Sequence, residues 1–351
     1  MAKIIVAGHV CLDITPVFSA EKVLPLQKIM VPGKLTQMKD ITLSTGGVVA
    51  NTGLTLKFLG ADVELMGKIG KDELGQIVYS RFQKYNAEKG LIVSKDSSTS
   101  YTIAIAPPGT DRIFLHNPGA NDTFSLEDLD FGKIAEADLF HFGYPPLMKR
   151  TYAEDGRELI EMFRRIKEAG TITSLDMAFV DEDSEAGKAD WEKILRNVLP
   201  YVDYFVPSVE ELCAMVDKKR YEEWQKRAGS QDITTVLDIE KDVAPLAEKV
   251  LEMGTGNLLI KCGAAGLYFQ NGKIGIFERS YKPEIVRSGT GAGDTCIAAF
   301  LKAVMDGRSI ETCLHLAAAE GASCVEAYDA LGGLRTLEEL EKKIEAGWAK
   351  Q

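Results

Sequence analysis

Along most of this chain, short apolar runs take turns with longer segments whose apolar residues recur at helical spacing. Ile4–Ala7 has the unbroken apolar pattern of a buried strand. Val63–Met66, Leu139–Phe142, Thr173–Asp176, Tyr204–Val206 and Leu258–Lys261 also read as strands. Helices are predicted over Val48–Phe58, Leu74–Tyr85, Gly156–Glu168, Glu210–Val216 and Val243–Met253. Three more, Asp294–Met305, Ile310–Val325 and Leu337–Trp348, close the chain. Strands alternating with helices give an α/β fold: a mostly parallel central sheet with helices on both faces. Leu267–Gln270 and Ile274–Phe277 flank Asn271-Gly272, a strong hairpin turn.

Two regions, Ile14–Ser44 and Ser97–Asn117, break the alternation and are β-rich without crossover helices. Within the second, Thr102–Ala106 and Arg112–His116 flank Pro107-Pro108-Gly109-Thr110 and read as a hairpin. Together the two regions are expected to form one small appended sheet, a lid. That divides the chain into a core of residues 1–13, 45–96 and 118–351 and a lid of 14–44 and 97–117. Asp217–Asp242 is charged and weakly periodic, and is expected to be a surface insertion.

Composition narrows the partners. The chain has 351 residues, a net charge of −11 and no Lys/Arg cluster, so nucleic acid and membrane surfaces are not expected partners. Met1–Gly8 is too short and too quickly broken for a signal peptide, and no apolar run approaches a membrane span. Six scattered cysteines without a Cys-x-x-Cys pair suit a reduced, cytoplasmic protein. Four dispersed histidines give no zinc pattern.

The chemistry concentrates in Ser288-Gly289-Thr290-Gly291-Ala292-Gly293-Asp294-Thr295, which runs into an amphipathic helix. Glycines before a helix let backbone N–H groups converge, and the helix dipole adds positive potential, so the loop suits an anion. A carboxylate beside an anion site makes sense if Asp294 takes a proton from a nucleophile attacking a bound phosphate. A glycine-rich turn with a capping Asp is the plainer alternative. The motif is neither a Walker A loop nor a dinucleotide fingerprint.

Other segments join it. Gly8-His9-Val10-Cys11-Leu12-Asp13 lies at the end of the first strand, where α/β sheets bind ligands; Asp13 is either a polyol acceptor or a turn residue. Thr45-Gly46-Gly47-Val48-Val49-Ala50-Asn51 opens a helix with two glycines and places an amide in its first turns. Leu59-Gly60 leads on to Gly67-Lys68-Ile69-Gly70-Lys71-Asp72-Glu73-Leu74-Gly75. Asp130-Phe131-Gly132 spells a protein-kinase triplet, but nothing else of that signature accompanies it.

In this order and spacing, these motifs resemble the ribokinase-like family of ATP-dependent carbohydrate kinases, the PfkB family, over nearly the whole chain. The resemblance implies a ribokinase-like three-layer α/β/α core with a β-sheet lid. It implies a kinase that uses ATP and Mg²⁺ to phosphorylate an alcohol hydroxyl, most simply on a sugar. Asp294 is then the catalytic base, and Gly291, Ala292 and Gly293 form the anion hole. Asp13, Gly46, Gly47 and Asn51 line the sugar site. Glu211 matches the Glu that organises Mg²⁺, although Ser208 replaces the usual Asn of that motif. Lys261, Gly263 and Gly266, in Lys261-Cys262-Gly263-Ala264-Ala265-Gly266, match the loop that holds ATP phosphates; a surface lysine at a strand end is the lesser alternative for Lys261. Gly119-Ala120-Asn121 falls where the family has a substrate-side loop.

The departures matter too. Ser288-Gly289 replaces the Asp-Thr that accompanies a monovalent-cation site. Asp176-Met177-Ala178-Phe179 lacks the Asn and Arg of sugar-acid and fructose kinases. Nucleoside kinases share the fold, and the apolar lid residues Val17, Phe18, Val23, Leu24, Ile29, Met30 and Val31 leave that acceptor open. A nucleotide-binding regulator without catalysis is a third reading, disfavoured by the intact Gly-Ala-Gly-Asp. An apolar outer lid face, carrying Ile29 and Val31, is expected to pair with a second copy as a homodimer.

Overall fold

A computed structural model describes residues 2–18, 26–107 and 113–351. Val23, Leu24 and the turn from Pro108 to Arg112 lie outside the described residues. Strands are β1 (Lys3–Gly8), β2 (Cys11–Phe18), β3 (Met38–Gly46), β4 (Asp62–Gly70), β5 (Leu91–Ser94), β6 (Tyr101–Ile105) and β7 (Ile113–Asn117). They continue with β8 (Leu139–Gly143), β9 (Ile172–Asp176), β10 (Tyr204–Phe205), β11 (Asn257–Lys261), β12 (Gly266–Asn271) and β13 (Gly275–Arg279).

The large sheet has the order β13-β12-β11-β10-β9-β8-β1-β4-β5. It is parallel from β5 to β11, and the β12–β13 hairpin adds an antiparallel edge. Strand β1 shows why the sheet sits in the middle of three layers. Ile4 and Val6 enter one hydrophobic cluster with the helices Val48–Phe58 and Ala292–Met305, while Ile5 and Ala7 enter another with Phe140, Phe163 and Leu175. All four β1 side chains are fully buried, so both faces are covered.

The smaller sheet has the order β3-β2-β6-β7. Its strands come from the two β-rich regions, and the sheet extends to Cys11 and Gly46, which pair with each other across β2 and β3. The chain leaves the large sheet at Gly8 and enters the small one at Cys11. A side chain at Gly8 is barred: its φ is +129°, and a Cβ there would stand 2.4 Å from Gly143 O.

Three expectations are corrected. Asp217–Asp242 is not simply a surface insertion. The helix Lys218–Ala228 buries Tyr221, Trp224 and Ala228 at helical spacing, and Trp224 Nε1 donates to Asp242 Oδ1 at 3.1 Å. Its charged outer face dilutes that stripe in the sequence. Ile29 is buried rather than displayed, in a segment that turns back on itself with Thr36 Oγ1 donating to Ile29 O at 3.1 Å, whereas Val17, Met30, Val31, Leu35, Ile41, Phe114 and Leu115 are exposed. The helix predicted from Gly156 has an earlier turn from Lys149, separated by left-handed Glu154, Asp155 and Gly156.

Candidate active site

Gly8, Gly143, Asp176 and Lys261 terminate β1, β8, β9 and β11, so the carboxyl ends of the parallel strands converge on one region. The helix Ala292–Met305 points its N-terminus there, with left-handed Gly291 as its cap (φ 79°). A Cβ on Gly291 would meet the Ala330 methyl at 2.3 Å, so the turn needs glycine on both counts.

Asp294, in the first turn, is 4% exposed. Asn51 Nδ2 donates to its Oδ2 at 3.0 Å, and the Tyr144 hydroxyl reaches both of its oxygens at 2.8 Å. Thr52 Oγ1 is 3.4 Å from Oδ1. Burial pushes the Asp294 carboxyl above its ordinary range, and the bonds from Asn51 and Tyr144 together with the Lys261 charge oppose that shift. When ionised, a carboxylate held by two donors at a helix N-terminus can receive a proton.

Lys261 and Gly293 lie side by side: a Cβ on Gly293 would stand 3.6 Å from Lys261 Nζ. Lys261 Nζ donates to Asp176 at 2.7 Å and 3.0 Å, with both side chains largely or wholly buried. Burial works against the ammonium, but Asp176 and Glu211 outweigh it and keep Lys261 charged. Lys261, Gly263, Gly266, Ala292 and Gly293 line one cavity of about 560 Å³. Ala317, Ala318, Gly321 and Ala322 form a smooth wall of that cavity. The helix has no side-chain cap, so its first-turn N–H groups face this space unclaimed by a capping residue; Ala292 N makes only a long 3.4 Å bond to Gly289 O.

The second half of the site spans the junction of the sheets. Asp13 lies on β2 against Gly46 of β3: a Cβ on Gly46 would come within 2.2 Å of Asp13 Oδ2. Cys11 Sγ donates to Asp13 Oδ1 at 3.3 Å. Burial raises the Asp13 carboxyl, and the charge of Asp294 adds to the shift. Left-handed Gly47 packs on His9, whose ring lies 5.3 Å from that of His116 and 5.9 Å from that of Tyr144. His9 is pushed down to about 3 by burial and by His116, so it is neutral; neither ring nitrogen has a hydrogen-bond partner among the described residues.

Asn121 is committed to the backbone, accepting from Val10 N at 3.2 Å and donating to Val10 O at 3.0 Å, so it braces the β1–β2 junction. Glu211 closes a capping box with Ser208, whose N–H it accepts at 2.9 Å. Among the described residues no three His, Cys, Asp or Glu side chains converge as a metal site. Mg²⁺ held by one or two carboxylates plus substrate phosphates needs no such cluster, and Glu211 acts electrostatically on Asp176, Lys261 and Asp294.

The sequence reading missed Tyr144, His9, His116 and the role of Asp176. Tyr144 and Asp176 each follow or close an apolar strand, and Tyr144 precedes Pro145-Pro146, the available signal for a fixed turn. Nothing in the sequence places His116 against His9.

Comparison with solved structures defines the fold. The fold is that of an Arabidopsis thaliana ribokinase solved with ribose and ATP: TM-score 0.73, 19% identity, covering 97% of this chain and 98% of that one. A Methanocaldococcus jannaschii nucleoside kinase matches with TM-score 0.67 at 18% identity, covering 99% of each chain. An uncharacterized sugar kinase of Archaeoglobus fulgidus is 26% identical over 279 residues, 80% of this chain and 97% of that protein. The pfkB family carbohydrate kinase model matches residues 1–337, and the chain belongs to that family. It is an ATP-dependent phosphotransferase with an alcohol group as acceptor. No described helix is long and apolar enough to cross a membrane.

Proposed function

We infer that this kinase transfers the γ-phosphoryl group of ATP to a sugar hydroxyl, with Asp294 as general base. The observation that carries the reading is Asp294 itself, a buried carboxylate aimed by Asn51 and Tyr144 directly beside Gly293 and Lys261. The acceptor hydroxyl donates its proton to Asp294, and its oxygen attacks the phosphoryl group in line. Gly291, Ala292 and Gly293 take up charge on the transferring oxygens through backbone N–H groups and the helix dipole. Lys261 adds a positive charge on the nucleotide side, where Gly263 and Gly266 leave room for phosphates. Asp13, Gly46, Gly47 and Asn51 form the sugar side. Glu211 would help hold Mg²⁺, which supplies charge neutralisation at the β- and γ-phosphates. The small sheet serves as a lid that excludes water.

The ring cluster of His9, His116 and Tyr144 favours a second reading, a nucleoside acceptor whose base stacks against these rings. Phosphorylation of a panel of sugars and nucleosides with ATP and Mg²⁺ separates the two. Asp294→Asn should lower turnover by about 10²–10⁴-fold while ATP binding is retained. Comparable turnover in that variant would remove Asp294 from the mechanism.

A further inference from the structure

Tyr144 stands immediately after β8, in the left-handed region with φ 68° and ψ 41°. A bulky aromatic residue there is a conformational outlier, and the following Pro145 restricts it further. Neighbouring structure holds it in place. Tyr144 N donates to Asp176 O at 3.3 Å, Pro145 and Pro146 are buried, and the ring packs against His9. The turn directs the phenol back across the strand ends to Asp294, where the hydroxyl lies 2.8 Å from each carboxylate oxygen. A strained residue bonded to a reacting group is the pattern of a functional site rather than a packing accident.

We propose that Tyr144 is a positioning residue for the base, fixing the plane of the Asp294 carboxylate against Asn51 and keeping it ionised until the acceptor hydroxyl arrives. The proposal rests on the reading of Asp294 as base. Physically, a donor bonded to the charged form favours that form. Burial raises the Asp294 carboxyl and so favours the protonated form, which has no free charge to receive a further proton. The other titratable groups around it are the cation Lys261 on β11, the carboxyls Asp176 on β9, Glu211 on its helix and Asp13 on β2, and the Cys324 thiol. The carboxyls favour the proton, while the Cys324 thiol, pushed up to about 12, is neutral and adds no charge. The bonds from Tyr144 and Asn51 join Lys261 in opposing the carboxyls.

The test is carboxyl ¹³C NMR on the full chain labelled at aspartate, with the Asp294 signal assigned by its loss in Asp294→Asn. In Tyr144→Phe the Asp294 midpoint should rise by about half a pH unit or more. A smaller rise, no movement or a fall overturns the proposal, whatever the acceptor panel shows. Tyr144→Asn guards against a folding failure, since Asn tolerates the left-handed region. It loses the ring packing against His9 and should melt lower than the parent, but in a single cooperative transition, and show the same upward shift. An unmoved midpoint in this folded variant would equally overturn the idea, and neither readout depends on catalytic turnover.

Discussion

The Lys261 ammonium is bonded to both oxygens of Asp176 while its stem lies against Gly293, so one side chain joins the end of β9 to the glycine-rich helix start. Removing Lys261 therefore does two separable things. Lys261→Met should weaken ATP binding by about 10–100-fold through loss of a charged phosphate contact. It should also lower stability by about 3–5 kcal/mol by leaving Asp176 buried without its partner. The double variant Lys261→Met/Asp176→Asn should recover stability but not ATP affinity. Nucleotide titration and thermal melts on the three proteins check this, and recovery of both together would refute the assignment.

Asp13→Ala and Asn51→Ala should each weaken acceptor binding far more than ATP binding, by about 1–3 kcal/mol per lost polar contact. Asn51 also aims Asp294, so its variant should lose turnover as well, whereas Asp13→Ala should act mainly on the acceptor KM. Separate titrations with nucleotide and with the acceptor found by the panel decide the matter. Loss of ATP affinity in both variants would reverse the assignment of the two halves.

Glu320 gives a pH dependence of stability. It is fully buried, and burial pushes its carboxyl up to about 8 against the opposing pull of Arg335. The folded chain thus holds this proton more tightly than the unfolded chain, whose Glu titrates near about 4.3. Its contribution to stability is complete below that lower value and is lost as pH rises toward about 8. Glu320→Gln should flatten this decline, seen as a smaller fall in melting temperature between about pH 5 and about pH 8.5. An unchanged decline would show that other buried carboxyls, such as Asp176, carry it.

Homodimerisation through the small sheet remains a proposal. Strands β3 and β7 are its edges, and Ile41, Val31 and Leu115 are exposed apolar residues on or beside them. Ile41→Glu and Leu115→Glu should convert a dimer to a monomer in light scattering. A wild type that is already monomeric at micromolar concentration would end this reading.

Much of this fold is legible in the sequence because fully buried parallel strands, such as Ile4–Ala7, are unbroken apolar runs. The anion loop is legible because its glycines answer local demands, a left-handed cap at Gly291 and a close approach at Gly293. Tyr144 and His9 were not. Their roles arise from contacts between residues far apart in the chain, Tyr144 with Asp294 and His9 with His116. No local pattern encodes such contacts. Trp224 failed differently: its core-facing stripe is present, but the charged residues around it mask the period.

The step from Gly8 to Cys11 divides the chemistry between two bodies. Asp294 belongs to the large sheet's layer, whereas Asp13 travels with β2 and is seated against β3. A tilt of the small sheet would therefore change the gap between Asp13, proposed to grip the acceptor, and Asp294, proposed to deprotonate it. The Gly8 joint, braced by Asn121 on the Val10 backbone, would be the fulcrum of that lever. Stiffening it would alter reach as well as access, even with every reacting residue in place.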